Sequence, residues 1–233
     1  MRIRIKFSKH GVVKFIGHLD MMRFFQKAIR RAGIDVTYSG GFSPHQIMSF
    51  AAPLGVGLCS NGEYLDIEVN SHQGKRDMME RLNNAMVKGI KIENIVVLDK
   101  NAGNAMASVA AAAYTIRWKE GYECPKNLSQ SCEAFFNQKE IPVIKQTKKS
   151  SLSLDLKPGI YEFFGREDSL YMLVDASSSQ NIKPSLLLEA FYNYLQLPFD
   201  NYAIQITRED TYTRISKGET KELVPLDRVG EEF

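Results

Sequence analysis

Between residues 15 and 66, two histidines, three aspartates and four cations are interleaved with glycines and prolines. The run opens with Phe15-Ile16-Gly17-His18-Leu19-Asp20, continues through Arg23, Lys27, Arg30 and Arg31, and reaches Tyr38-Ser39-Gly40-Gly41-Phe42-Ser43-Pro44-His45. Ser49-Phe50-Ala51-Ala52-Pro53-Leu54-Gly55-Val56-Gly57 follows. His18, Asp20 and His45 are the candidate acid–base groups, because imidazole and carboxylate exchange protons under conditions where enzymes work. Arg23, Lys27, Arg30 and Arg31 are candidate phosphate contacts, since the guanidinium fork matches phosphate oxygens. In the loop, Tyr38 and Phe42 could stack on a base, while Ser39, Gly41 and His45 complete a cradle for a nucleotide; glycine lets backbone amides approach a ligand closely. The plain alternatives are a solvated helix face and a tight turn whose Phe42 plugs the core.

No metal is expected here. His18 and Asp20 lie two apart at a helix start, where their side chains diverge, and no His-Glu-x-x-His pair exists. There is also no phosphate-binding Gly-x-x-x-x-Gly-Lys-Ser/Thr loop, no Gly-x-Ser-x-Gly elbow and no Gly-x-Gly-x-x-Gly opening a helix. Cys59, Cys124 and Cys132 have no cluster-binding spacing, so no cofactor is assigned to the chain.

Positioning these groups falls to elements that the periodicity makes legible. Arg2–Phe7 alternates as a strand, with Ile3, Ile5 and Phe7 on one face. Leu19–Ala32 reads as an amphipathic helix: Met22, Phe25, Ala28, Ile29 and Ala32 fall inward, and the four cations share the other side. Gly33 stops it. Strands are expected around Asp35–Tyr38, Gln46–Ala52 and Glu63–Val69, the last alternating through Tyr64, Ile67 and Val69. A helix Lys75–Lys88 and a strand Ile90–Leu98 complete a βαββαβ unit over 1–100. A linker near 101–108 leads to a second unit over 108–215, with strand Ala111–Trp118, helix Asn127–Gln138, strands at 143–147, 151–156, 161–164 and 169–175, helix Lys183–Leu195 and strand Tyr202–Arg208. Residues 216–233 read as a loosely held tail. The expected fold is α+β, two tandem ferredoxin-like domains.

Composition sets the outer limits. The 233 residues are 44% hydrophobic and 24% charged, ordinary for a globular chain, and no apolar stretch is long enough to span a membrane. The opening residues read as a strand and not a signal peptide, and the odd cysteine count suits a reduced, cytoplasmic setting. Net charge is only +3, but residues 1–35 carry nine Lys/Arg against two aspartates. Such a field suits a surface that receives an anion. In the second half a basic cluster, Lys145, Lys148 and Lys149, precedes Ser153-Leu154-Asp155-Leu156-Lys157-Pro158-Gly159. It reads as a solvated hairpin or as a second patch including Lys157.

Phe15–Arg23, Arg30-Arg31-Ala32-Gly33, Tyr38–His45, Ser49-Phe50-Ala51 and Pro53-Leu54 together resemble the radical-SAM-linked family, a bacterial domain fused after, or encoded beside, B12-binding radical SAM proteins. Asp155-Leu156-Lys157-Pro158, Lys183-Pro184 and Thr207-Arg208 extend the likeness over most of the chain. Ser43 stands where that pattern has Asn, and Lys157 and Lys183 where it has Arg, which weakens bidentate recognition at those positions. The resemblance implies an accessory role beside a radical SAM partner. Its usual gene neighbours, an RNA-processing nuclease and ribosomal proteins, imply tRNA or rRNA. Three functions stand open: an RNA-handling accessory protein, an enzyme using His18, Asp20 and His45 on RNA or a phosphorylated small molecule, and a module docking its basic helix on an acidic protein.

Overall fold

A computed structural model describes the protein at residues 1–72, 74–146, 151–218 and 220–233. Residues 1–110 and 208–233 form one compact unit, and residues 111–207 a second.

In the first unit the chain runs β1 (Arg2–Lys9), a 3-10 turn (Gly11–Phe15), α1 (His18–Arg31), β2 (Met48–Phe50), β3 (Cys59–Glu68), α2 (Lys75–Ala85), β4 (Ile90–Val97) and the short α3 (Ala105–Ser108). The strands lie in the order β4-β1-β3, with β2 paired to β3 and every one of these pairs antiparallel. Register explains the core. Ile3, Ile5 and Phe7 face Ile67, Leu65 and Glu63 across β3, and Val97, Ile95 and Ile92 across β4. A period of two places these side chains on one face of the sheet. Onto it α1 lays Met21, Phe25, Ala28 and Ile29, and α2 lays Met78 and Leu82. Their three- and four-residue spacing puts each set on one helical stripe. Phe25 packs between Phe7 and Phe50, with ring centroids at 4.7 and 5.8 Å.

The opposite face of this sheet is charged yet buried. Arg4 makes a bidentate pair with Asp66 at 2.7 and 2.9 Å and donates to the Leu226 carbonyl at 3.0 Å. Lys6 pairs with Asp210 at 2.6 Å, and the Tyr64 hydroxyl donates to Asp210 and Asp227 at 2.6 and 3.1 Å. Asn94 donates to Asp227 at 2.9 Å. Leu226 and Asp227 come from the C-terminal residues, where the tail expectation fails. β11 (Thr220–Pro225) pairs with the strand before it, Leu226 is fully buried, and Glu231 bridges Val97. The end of the chain is held because it supplies the Leu226 carbonyl to Arg4 and the Asp227 carboxylate to Lys6, Tyr64 and Asn94.

Two further expectations change. The strand expected at Asp35–Tyr38 is reduced to isolated bridges, Val36↔Val69 and Tyr38↔Gln46. The final strand does not end at Arg208 but runs from Ile204 to Lys217.

The second unit comprises β5 (Ala111–Trp118), α4 (Leu128–Phe136), β6 (Pro142–Gln146), β7 (Ser151–Asp155), β8 (Ile160–Gly165), β9 (Ser169–Asp175), α5 (Pro184–Tyr194) and the opening residues of β10 (Ile204–Lys217). Its strands follow the order β10-β5-β9-β8, and β6 and β7 form a separate hairpin. Phe135, Phe163 and Phe191 pack tilted and edge-to-face in its core with centroids 5.2 to 5.3 Å apart. Burial pushes the Cys132 thiol up to about 12, so this is a packing residue and not a nucleophile. Lys148 and Lys149 lie outside the described residues. No described helix is long and apolar enough to cross a membrane.

Candidate functional site

The Tyr38–His45 segment forms a closed loop standing on α1. At its base the Ser39 amide donates to the His45 carbonyl at 2.8 Å, and the His45 amide donates to Ser39 Oγ at 3.1 Å. Ser39 Oγ also meets His45 Nδ1 at 2.8 Å. Gly41 takes φ +95°, a conformation that favours glycine, and an added Cβ would meet nothing within 4 Å there or at Gly40. The tip is therefore open. Phe42 stands fully exposed, so it does not plug the core.

Gln46 ties the loop to the helix. Its Nε2 donates to the Gln26 carbonyl at 3.1 Å and to the Tyr38 hydroxyl at 3.5 Å. That hydrogen bond, and then the Arg30 guanidinium beside it, hold the exposed Tyr38 hydroxyl below its ordinary pKa. The loop thus meets the cationic helix at Arg30. Lys27, also exposed, makes no ion pair among the described residues. Arg23 pairs with Asp20 at 3.3 Å, and Arg31 donates to the Ala85 carbonyl at 2.9 Å.

His18 goes elsewhere. It opens α1, packs edge-on against Phe50 at 5.2 Å, and lines a small hollow with Phe7, Lys9, Met21, Phe50, Pro53, Leu54 and Glu63. Eight residues of helix, about 12 Å at 1.5 Å per residue, separate His18 from Gln26, where the loop is anchored. His18, Asp20 and His45 consequently do not form one acid–base centre: Asp20 is exposed on Arg23, and His45 is bonded to Ser39. The described residues hold no group of three His, Cys, Asp or Glu fit for a metal ion. Lys157 lies in the second unit, donates to the Phe136 carbonyl and sits 3.7 Å over the Phe136 ring, so it serves the local fold.

Around the hollow are charges that the sequence reading passed over. Lys9 is 3% exposed and donates to the Ile16 carbonyl at 2.8 Å. Glu63 is buried and accepts from Arg208 Nη1 at 2.9 and 3.2 Å; the same guanidinium donates to the Ala52 carbonyl at 2.6 Å. Burial raises the Glu63 carboxyl, with Arg208 pulling against it, and burial lowers the Lys9 ammonium. A signal was present in the sequence. Lys9 continues the inward phase of Ile3, Ile5 and Phe7, and Glu63 that of Leu65 and Ile67, and a charge on an apolar face calls for a reason.

The second unit contains an open cleft of about 970 Å³ lined by Trp118, Glu123, Lys126, Arg166, Glu167 and Asp168 among others. Its carboxylates and cations nearly balance, and it favours neither sign of ligand.

A family model described as an uncharacterized protein conserved in bacteria (DUF2344) matches residues 2–184. No curated protein matches the chain. Among solved structures, a chain of a Cbf5-Nop10-Gar1 complex superposes with a TM-score of 0.45 at 9% identity, covering 90% of this chain and 48% of that one.

Proposed function

We propose that this chain, which belongs to the bacterial DUF2344 family, is an accessory RNA-binding protein that presents its substrate to a radical SAM partner. The observation that supports the RNA reading is the junction of loop and helix: Tyr38 lies beside Arg30, Gln46 is anchored on Gln26, and Phe42 is bare at the tip. Cations that follow a phosphate backbone, next to exposed aromatic rings on which bases stack, are the two parts of a single-strand binding surface. The partner follows from the sequence resemblance. The first unit has the strand order 4-1-3-2, and the second has the same order once the separate β6–β7 hairpin is left out of the numbering, which fits the tandem ferredoxin-like arrangement within this reading.

Filter binding to a short unstructured oligoribonucleotide tests it. Four phosphate contacts on α1 correspond to a slope of log affinity against log salt of about −3 for a single strand. Phe42→Ala should weaken binding by about 1 to 3 kcal/mol, the worth of one stacked base, without changing the salt slope or the melting temperature. Absence of binding at low salt rejects the proposal.

A further inference from the structure

The hollow at the start of α1 holds a buried ammonium whose hydrogen-bonding capacity is unfilled. A lysine ammonium has three donors. Among the described residues Lys9 Nζ has one acceptor, the Ile16 carbonyl, and no carboxylate within ion-pairing distance. Glu63, the carboxylate that lines the same hollow, is engaged by Arg208. With Glu63 engaged by Arg208, the Lys9 charge is left without an ion pair among the described residues, a local positive surplus in a place shielded from water. The amino terminus of α1 adds to that surplus, because Gly17 offers no side-chain cap. A buried charge of this kind calls for an anionic partner.

The size of the hollow restricts that partner. Its volume of about 20 Å³ admits one water-sized group. One oxygen of a flat carboxylate enters such a space, whereas a tetrahedral phosphate presents three oxygens around a bulkier centre. The segments framing the hollow are rigidly held: Lys9 grips Ile16, Arg208 grips Ala52, and the Gly57 amide donates to the Lys14 carbonyl at 2.9 Å. On the same segments Phe15, Leu19 and Val56 are more than 60% exposed. Bare apolar side chains beside a desolvated cation match a ligand with an apolar body and a charged head.

We propose that this hollow binds the carboxylate of an apolar acid, with Lys9 donating to the oxygen that enters, the first amides of α1 and His18 at the rim, and Phe15, Leu19 and Val56 against the apolar body. The site is independent of the RNA surface on the far part of α1. Free short-chain acids and the C-terminal carboxylate of an apolar peptide share this chemistry.

The test uses the full chain and its 4 histidines. Imidazole signals are followed by NMR during titration with hexanoate, 1-hexanol and inorganic phosphate at fixed ionic strength, with His18 assigned from His18→Gln. Hexanoate is expected to shift His18 saturably while leaving His10, His45 and His72 in place; hexanol and phosphate are expected to leave all four unmoved. Lys9→Met should weaken hexanoate about tenfold or more, the worth of one charge-assisted hydrogen bond. An acetylated apolar dipeptide and its C-terminal amide form the second arm. Tighter binding of the dipeptide acid than of hexanoate assigns the site to peptide ends, and the reverse order assigns it to free acids. Equal shifts with hexanol, competition by phosphate at the same strength, or no saturable shift with hexanoate would overturn the proposal, the last meaning that the hollow holds only water. If Lys9→Met does not fold, the contrast between hexanoate and hexanol on the wild-type chain decides alone.

Discussion

Reversing the charge at Lys27 and Arg30 together, with glutamate at both positions, is expected to lower affinity for a single-stranded RNA by about a hundredfold at low salt and to flatten the salt slope by about 1.4. These two are the effective pair for structural reasons. Arg30 lies beside the Tyr38 hydroxyl, and Lys27 makes no ion pair among the described residues. Arg23 differs: Asp20 at 3.3 Å already offsets its charge, so Arg23→Glu should cost less. Both side chains of the double variant are solvent-facing, so stability should stay within about 0.5 kcal/mol of wild type, as for most surface changes. Loss of RNA binding without loss of stability supports the RNA surface. Undiminished RNA binding rejects it. If the variant instead loses a co-purifying protein in a manner insensitive to nuclease, the acidic-partner reading gains.

The sequence disclosed the helices and one face of the first sheet, and it misjudged what lay on the other. The α1 stripe was legible because Phe25, Ala28 and Ile29 recur at helical spacing and all are buried. Arg4 and Lys6 were counted into a positive surface field because alternation says only that they oppose Ile3 and Ile5. It cannot say that Asp66, Asp210 and Asp227 would arrive to bury them. Two of those three partners come from more than 200 residues away along the chain, a pairing that no local pattern records. The loop was picked out by its glycines and aromatics, yet the exposure of Phe42 depended on Ser39 and His45 closing the base beneath it. At the hollow the failure was one of phase. Reading β3 through Tyr64 instead of Leu65 hid Glu63 among the outward residues, and the register Phe7↔Glu63 corrects this.

Two buried cations on one strand should respond oppositely to removal of their electrostatic burden. Among the described residues, Asp66→Ala leaves the Arg4 guanidinium, 1% exposed, with the Leu226 carbonyl alone in place of its bidentate partner. The expected cost is about 3–5 kcal/mol, the usual result of breaking a buried ion pair from one side. It should appear in urea unfolding as a lower midpoint with unchanged slope. Lys9→Met does the reverse. It forfeits one hydrogen bond to Ile16 and removes an ammonium buried without an ion pair, so at neutral pH the variant should be no less stable than wild type. The pH dependence identifies the cause. Burial lowers the folded-state pKa of Lys9 below the 10.5 of an unfolded lysine, so between those values the unfolded chain binds more protons than the folded one. Lys9 therefore makes wild-type stability rise with pH across that window, and the advantage of Lys9→Met should be greatest below the window and vanish above about 10.5. A constant difference across pH would mean that Lys9 keeps its unfolded-state pKa in the folded protein, as a solvated ammonium does, and would take away the desolvated ammonium on which the carboxylate site depends.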